Sequence, residues 1–175
     1  MEEFDIEKAD DKQYVLEMVK NNGQLLDLVS KTLQNDEEVV MTAVKQNPIA
    51  LEFASDKLKD NYEIVMESVS KIGWTACYAS ERLRANKQII LSGLKIDGQI
   101  LYYASPELRD DKDIVLEAVK NKGLILKYAS FRLRNDKEIV LTAIKQDKRA
   151  KEYIATEELK NDEEIQLILN PPKDE

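Results

Sequence analysis

Apolar residues occur along the chain in short blocks of the form I-V-L-x-A-V, and a block returns after every 25 residues. The spacing inside a block is typical of a helix that is buried on more than one side. An Asp or Asn stands three residues before each block, where its short polar side chain can accept backbone N–H groups and begin a helix. The pattern therefore predicts one buried helix in every 25 residues.

Six copies of this pattern follow one another without a break. They occupy residues 11–35, 36–60, 61–85, 86–110, 111–135 and 136–161, and the sixth has one extra residue near Ile154. Residues 1–10 look like the tail of a missing copy and residues 162–175 like the first half of another, so we expect an N-terminal and a C-terminal cap. We number the copies as repeats 1–6 and count positions 1–25 from the first residue of each copy.

The second half of each repeat predicts a further helix and a last turn. Glycine at position 13 of four repeats is typical of a helix C-cap, which would end the first helix. A shorter helix follows, and a Ser or Thr near position 20 can cap one more turn. That turn would place the Leu of position 23 in the core. The four glycines are Gly23, Gly73, Gly98 and Gly123.

One such repeat has too little apolar surface to fold alone, whereas stacked repeats share a continuous core. We therefore expect an all-α fold, an α-solenoid of short helical hairpin-like repeats that forms one domain overall. The phrase DKEIVLxAVKxxGxxLxYASxxLRN resembles the repeat family catalogued as domain of unknown function 4116, whose unit spans about two of these repeats. The resemblance implies a helical repeat and supplies no activity and no catalytic residues. The chain departs from the family at Pro48, at Lys148 and at the insertion near Ile154.

Composition narrows the classes of function. The net charge of −8 disfavours generic binding to nucleic acid or to an anionic membrane. The chain has no His and a single Cys, Cys77, so it lacks the commonest general base and cannot form an intrachain disulfide. We expect no enzyme, no cofactor, no metal site and no catalytic residue. Because the chain has neither a signal peptide nor an apolar run of ~18 residues, we expect a cytoplasmic protein, with delivery into a host cell left open.

Two columns of equivalent side chains run through the repeats. The aromatic column at position 18 favours a place in the core, because Phe53 and Leu28 replace Tyr there; the alternative is a stacking ladder for bases or a peptide. Its tyrosines are Tyr78, Tyr103, Tyr128 and Tyr153. The column at position 24 is basic and favours local ion pairs with surrounding acids; the alternative is binding to a phosphate backbone or an acidic peptide. The basic column is Lys59, Arg84, Arg109, Arg134 and Lys160.

The loop between the two helices of each repeat departs from the pattern in the middle of the chain. It is polar in the first and last repeats and apolar between them, and the loops of stacked repeats lie along one edge. An exposed apolar group with a Trp is typical of a partner-binding surface; the alternative is that these side chains fold back over the core. The candidates are Ile49, Ile72, Trp74, Ile96 and Leu124. Phe131 is a further candidate, and Tyr102, like it, is an isolated aromatic residue at an otherwise polar position.

Two hypotheses about function follow. The first is a non-catalytic scaffold that engages a protein partner, or a second copy of itself, through the loop edge near Trp74 or through its concave face. The second is a nucleic-acid-related role, in which the basic column binds a strand or the acidic surface mimics one and inhibits a basic nucleic-acid-binding protein. Direct binding of nucleic acid is the less favoured form, because the chain is acidic.

Overall fold

The computed structural model describes residues 4–172, and internal contacts divide the chain into two compact units. The first unit is Met1–Ile96 and the second is Asp97–Glu175. The regular elements between residues 4 and 172 are all helical, and within each unit successive repeats stack as in an α-solenoid. The all-α repeat fold is therefore confirmed, while the single domain stays a prediction. Residues 1–3 and 173–175, at the outer ends of the predicted caps, lie outside the described residues.

Each repeat begins with the buried α-helix that the sequence predicts. In the first unit these long helices are Lys12–Asn21, Glu37–Gln46, Tyr62–Val69 and Lys87–Leu94. In the second unit they are Lys112–Asn121, Lys137–Gln146 and Glu163–Leu169. The Asp and Asn residues of position 1 cap the starts of these helices, as predicted. The Asp136 carboxylate accepts the N–H of Ile139, and the Asn86 side chain accepts those of Gln88 and Ile89.

The second helix of each repeat is a 3₁₀ helix, a form that is common in short segments of this kind. These helices are Gly23–Asp27, Pro48–Phe53, Gly73–Tyr78, Gly98–Tyr102, Gly123–Tyr128 and Lys148–Tyr153. A last helical turn then leads to the next repeat. In order these turns are Leu33–Asn35, Asp56–Lys59, Glu81–Arg84, Leu108–Asp110, Leu133–Asn135 and Glu157–Lys160, and a similar turn, Ile6–Lys8, precedes repeat 1. The Leu of position 23 is buried in repeats 1–5, as predicted.

The glycines at position 13 are not left-handed C-caps. None of them has a positive φ, so the reason predicted for glycine is wrong. Each lies instead against the carbonyl oxygen at position 8 of the next repeat, and a Cβ on Gly123 would collide with the oxygen of Ala143. A Gln side chain completes two of these contacts, since the N–H of Gly23 donates to Gln46 over 2.6 Å and that of Gly123 donates to Gln146 over 2.5 Å. Glycine serves the close approach of consecutive repeats, and we call this contact the joint.

The two repeats without glycine at position 13 replace the close contact with a polar one. After Pro48, position 8 of the next repeat is Ser68, whose hydroxyl donates to the Pro48 carbonyl over 2.8 Å. Lys148 reaches the last described helix, where its Nζ lies 3.5 Å from the carbonyl oxygen of Leu169. Both departures from the repeat are thus matched by a new partner across the same joint.

The Ser of position 20 links consecutive repeats in addition to capping the last turn as predicted. The Ser130 hydroxyl donates to Asp110 at the end of the preceding repeat, and the Ser130 N–H donates to the carbonyl of Arg109 over 2.9 Å. In repeat 6 the extra residue divides these two roles. The N–H of Ala155 makes the backbone bond and the Thr156 hydroxyl makes the side-chain bond. The insertion is therefore accommodated without loss of either contact.

Ion pairs also connect the repeats, from position 2 of one repeat to the helix start of the next. Lys112 Nζ lies 2.9 Å from Asp136 and 2.8 Å from Glu138, and Lys12 and Lys137 make equivalent pairs. Where position 2 is Glu or Tyr, the next repeat begins with Asn instead of Asp. The choice between Asp and Asn at position 1 thus follows the residue at position 2 of the preceding repeat.

These pairs contribute a pH dependence to the stability of the fold. Burial alone would raise the pKa of Asp136, but hydrogen bonds from Lys112 and from the amides of the helix start hold the pKa below its ordinary value of 3.8. A carboxyl group whose pKa is lowered by folding contributes stability above its unfolded pKa, and that contribution is lost as the pH falls through the folded pKa. The contribution of Asp136 is therefore present at neutral pH and disappears below about pH 4.

The change Asp136→Asn should lower the melting temperature slightly at neutral pH, since pairs of this exposure contribute little individually. The helix cap should survive, because Asn serves as the cap at the same position of repeats 3 and 4. The deficit should shrink as the pH falls below about 4. Thermal unfolding followed by circular dichroism, at pH values from neutral to below about 4, measures the difference in melting temperature. Asn61→Asp is the control and should gain no stability, because the residue at position 2 of the preceding repeat is Glu37 and not a lysine. If the deficit of Asp136→Asn does not change with pH, a role for the Lys112 pair is excluded.

Candidate functional site

Four of the apolar candidates lie in the first unit, and all of them remain accessible to solvent. Ile49 and Ile72 are half-buried, whereas Trp74 is 36% exposed and Ile96 is 55% exposed. All four stand at or beside the connection between the long helix and the 3₁₀ helix of their repeats. We call these four residues the apolar edge.

A buried hydrogen-bond network in repeat 3 fixes the backbone beneath this edge. Ser68 and Thr75 are fully buried, and their hydroxyl oxygens lie 2.8 Å apart. The Ser68 hydroxyl also lies 2.8 Å from the carbonyl oxygen of Pro48, and the Thr75 hydroxyl donates to the carbonyl of Ile72 over 2.7 Å. The network thus connects the residue before Ile49 with Ile72 itself.

The helix that carries Ile96 packs against the same loop. Gly73 lies against the carbonyl oxygen of Gly93, and a Cβ on Gly73 would stand only 2.8 Å from that oxygen. The N–H of Ile96 donates to the same oxygen over 3.0 Å. Trp74 and Ile96 therefore belong to two backbone segments that converge on one carbonyl group. The Trp74 ring also contacts the ring of Tyr78, with centroids 5.9 Å apart.

The two remaining apolar candidates belong to the second unit. Leu124 is half-buried within Gly123–Tyr128, and Phe131 is 62% exposed. Phe131 is thus among the most exposed large apolar side chains of the described residues.

The basic column does not form the predicted ladder of ion pairs. Arg84, Arg109 and Arg134 are half-buried, and among the described residues none of them makes an ion pair. The Nε atom of each is buried and has no hydrogen-bond partner. Lys59 is also half-buried, and Lys160 alone follows the expectation by pairing with Glu157 at 2.7 Å.

Two ion pairs of arginine lie at position 22 instead, two residues before the basic column. Arg82 Nε is 3.0 Å from Asp60, and Arg132 Nε is 3.0 Å from Asp110. Each of these acids is the last residue of the preceding repeat, so these pairs contribute to stacking. Sequence reasoning assigned the pairs to the wrong column because it considered neighbours along the chain and not neighbours across the stack.

The tyrosines of position 18 are half-buried and lie outside the buried core, so their predicted core placement is wrong. The Tyr78 hydroxyl, for example, donates to Glu52 over 3.0 Å. The sequence suggested that Tyr102 is isolated, but this is wrong. Its ring lies 5.0 Å from that of Tyr103 and 4.9 Å from that of Tyr128. The sequence signal for this cluster is two adjacent Tyr residues followed by another one repeat later.

Cys77 is half-buried, and burial together with the negative charge of Glu52 raises the pKa of its thiol. A thiol with a raised pKa is protonated at neutral pH and is a poor nucleophile. Between residues 4 and 172, no group of three or more His, Cys, Asp or Glu side chains is placed to hold a metal ion. Over the same range, no helix combines the length and the apolar character that crossing a bilayer requires.

Comparison with known proteins identifies the repeat. The family model described as domain of unknown function (DUF4116) matches residues 11–59, 61–109 and 111–154. Each match spans about two of the 25-residue repeats, as the resemblance implied. No curated protein and no solved structure matches the chain. Because the three matches together cover well over half of its length, the chain belongs to the DUF4116 family.

Proposed function

We propose that the chain is a non-catalytic scaffold that binds a protein partner through the apolar edge of its first unit. The edge joins a partly exposed Trp74 to the exposed Ile96, flanked by Ile49 and Ile72. Tryptophan is enriched among the residues that dominate binding energy at protein interfaces. A partner that covers these side chains would remove apolar surface from water, which favours association.

The buried network of Ser68 and Thr75 is the observation that carries this proposal. No other repeat has a hydroxyl at the position of Ser68, where repeats 2, 5 and 6 have Ala, and repeats 4 and 5 have Ile at the position of Thr75. A buried hydroxyl contributes little net stability even when it is hydrogen-bonded, whereas an apolar side chain would fill the same space. The network includes one contact across the joint, from the Ser68 hydroxyl to the Pro48 carbonyl. It fixes the backbone on both sides of the edge, and a fixed surface loses less conformational entropy when it binds.

The change Ser68→Ala should lower the free energy of unfolding by about 1–3 kcal/mol, because it removes a hydrogen-bond partner from two buried polar groups. Ser68→Ala combined with Thr75→Ile restores the residue types of repeat 5, Ala118 and Ile125. The double variant should lose less stability than the sum of the two single variants, since both hydroxyls are removed together. Urea denaturation of the three variants measures these losses, and strictly additive losses would contradict a shared network.

The change Trp74→Gln should weaken binding of the protein partner about tenfold or more, as expected for a central interface residue. Affinity purification of the full chain from its native host identifies the partner, and titration calorimetry with the purified partner measures the dissociation constant. Ile6→Gln is the matched control, because Ile6 is 64% exposed in the same unit but outside the edge.

The two variants separate the possible outcomes. The control should bind like the unchanged chain, and both variants should keep the helical circular dichroism signal. If Trp74→Gln binds the partner as tightly as the unchanged chain does, or if Ile6→Gln loses binding equally, the apolar edge is not the interface. Sedimentation of the purified chain tests whether the partner is a second copy of itself, because Trp74→Gln would then shift a dimer to monomer.

A further inference from the structure

A different surface lies in the second unit, at positions 17, 21 and 24 of repeats 4 and 5. In repeats 1 and 2 these three positions line one groove, which contains the acids Asp27, Glu52 and Asp56. The equivalent positions of repeats 4 and 5 carry no acid. They hold Tyr102, Pro106, Arg109, Lys127, Phe131 and Arg134. Because they occupy the positions that line the groove of repeats 1 and 2, we call these six residues the basic aromatic groove.

The aromatic residues of this groove are exposed, and one of them, Tyr102, belongs to a cluster of rings. Tyr102 is 54% exposed and Phe131 is 62% exposed. The Tyr102 ring contacts that of Tyr128 at 4.9 Å, and Lys127 Nζ lies 4.5 Å from the centroid of the same Tyr128 ring. Aromatic rings and cations in contact form a surface that is apolar in area and positive in charge. Such a surface matches a ligand that is both anionic and partly apolar.

Among the described residues, the two arginines of the groove make no ion pair, and the Nε atom of each lacks an acceptor. In repeat 1, position 24 is Gln34, whose side-chain amide donates to the carbonyl of Leu26 over 3.0 Å. Position 24 therefore lies beside the end of the 3₁₀ helix of its own repeat. Arg109 and Arg134 occupy that position with a buried Nε that has no acceptor. A buried donor without an acceptor costs free energy. A carboxylate that draws the guanidinium outward would supply two acceptor oxygens in the geometry that arginine matches.

We propose that the basic aromatic groove binds an extended acidic segment of a partner protein, with its carboxylates on Arg109 and Arg134 and its apolar side chains on Tyr102 and Phe131. Charge complementarity identifies the occupant, because the groove combines three cations with no carboxylate at these positions. Of the neighbouring acids, Asp110 is paired with Arg132. The pKa of Glu107 is lowered mainly by hydrogen bonding to Ser105 and also by the charge of Arg109. This binding does not depend on the apolar edge of the first unit.

A peptide fits this groove better than a nucleic-acid strand. Proteins that bind nucleic acid through phosphates commonly neutralise about six to ten of them, and this groove offers three cations. The chain as a whole carries −8, which repels a dense polyanion more strongly than a peptide with a few carboxylates. The exposed rings and Pro106 give apolar contact area that an acidic peptide can cover with its own apolar side chains.

Selection of random dodecapeptides displayed on phage against the full chain tests the proposal. Peptides selected by the unchanged chain should be enriched in Asp and Glu relative to the starting library. The double variant Arg109→Gln, Arg134→Gln should lose this enrichment, and it should bind a fluorescein-labelled selected peptide about tenfold more weakly by fluorescence anisotropy. Tyr102→Ala should weaken binding of the same peptide, because it removes an exposed ring from the groove.

Arg132→Gln is the matched control, since Arg132 lies two residues from Arg134 but is paired with Asp110. This variant and Trp74→Gln should both select the same acidic peptides as the unchanged chain, which keeps the test separate from that of the apolar edge. No acidic enrichment with the unchanged chain, or enrichment that persists in the double arginine variant, would overturn the proposal. So would tighter binding of fluorescein-labelled oligothymidylate than of the selected peptide, because the groove would then be a nucleic-acid site.

Discussion

The joint between position 13 of one repeat and the position-8 carbonyl of the next is the contact on which the stack depends. It places one repeat against the following long helix so closely that Gly123 has no room for a Cβ. Because the spacing is fixed here, a hydrogen bond from position 20 and, where position 2 is Lys, an ion pair can recur between the stacked repeats of each unit. The departures at Pro48 and Lys148 keep a contact across the joint, since each repeat without glycine makes a polar contact there.

The features within one repeat could be predicted from the sequence, because they depend on neighbours along the chain. The helix starts at Asp136 and Asn86, the buried Leu of position 23 and the family resemblance are examples. The predictions that were wrong concern contacts across the stack, between residues about 20 positions apart in the sequence. Glycine was assigned to a turn although its φ is ordinary, and the arginines of the basic column were assigned ion pairs that Arg82 and Arg132 make instead. To assign these contacts correctly, one must know which residues of consecutive repeats face each other. The sequence does not state this register explicitly.

The two candidate sites share one property, which is that each contains residues that break the repeat. Ser68 and Thr75 place two hydroxyls in a core that apolar residues could fill, beneath the apolar edge. Tyr102 and Phe131 expose large rings at positions that are charged in most other repeats. The sequence identified Trp74 and Phe131 as irregular, but the cluster around Tyr102 and the unpaired Nε atoms required the side-chain contacts. A regular framework therefore carries irregular surfaces, and we propose that binding belongs to these surfaces.

The central claim, that glycine at position 13 is required by close approach and not by a turn, is tested most directly by comparing Gly123→Ala with Gly98→Ala in chemical denaturation. A Cβ on Gly123 would collide with Ala143, whereas one on Gly98 would lie 3.2 Å from the carbonyl oxygen of Ala118. Gly123→Ala should therefore lower the free energy of unfolding by about 1–3 kcal/mol, the usual cost of overpacking. Gly98→Ala should change it by less than about 1 kcal/mol, because alanine also restricts the unfolded chain. Equal losses in the two variants, or no loss in Gly123→Ala, would contradict the claim.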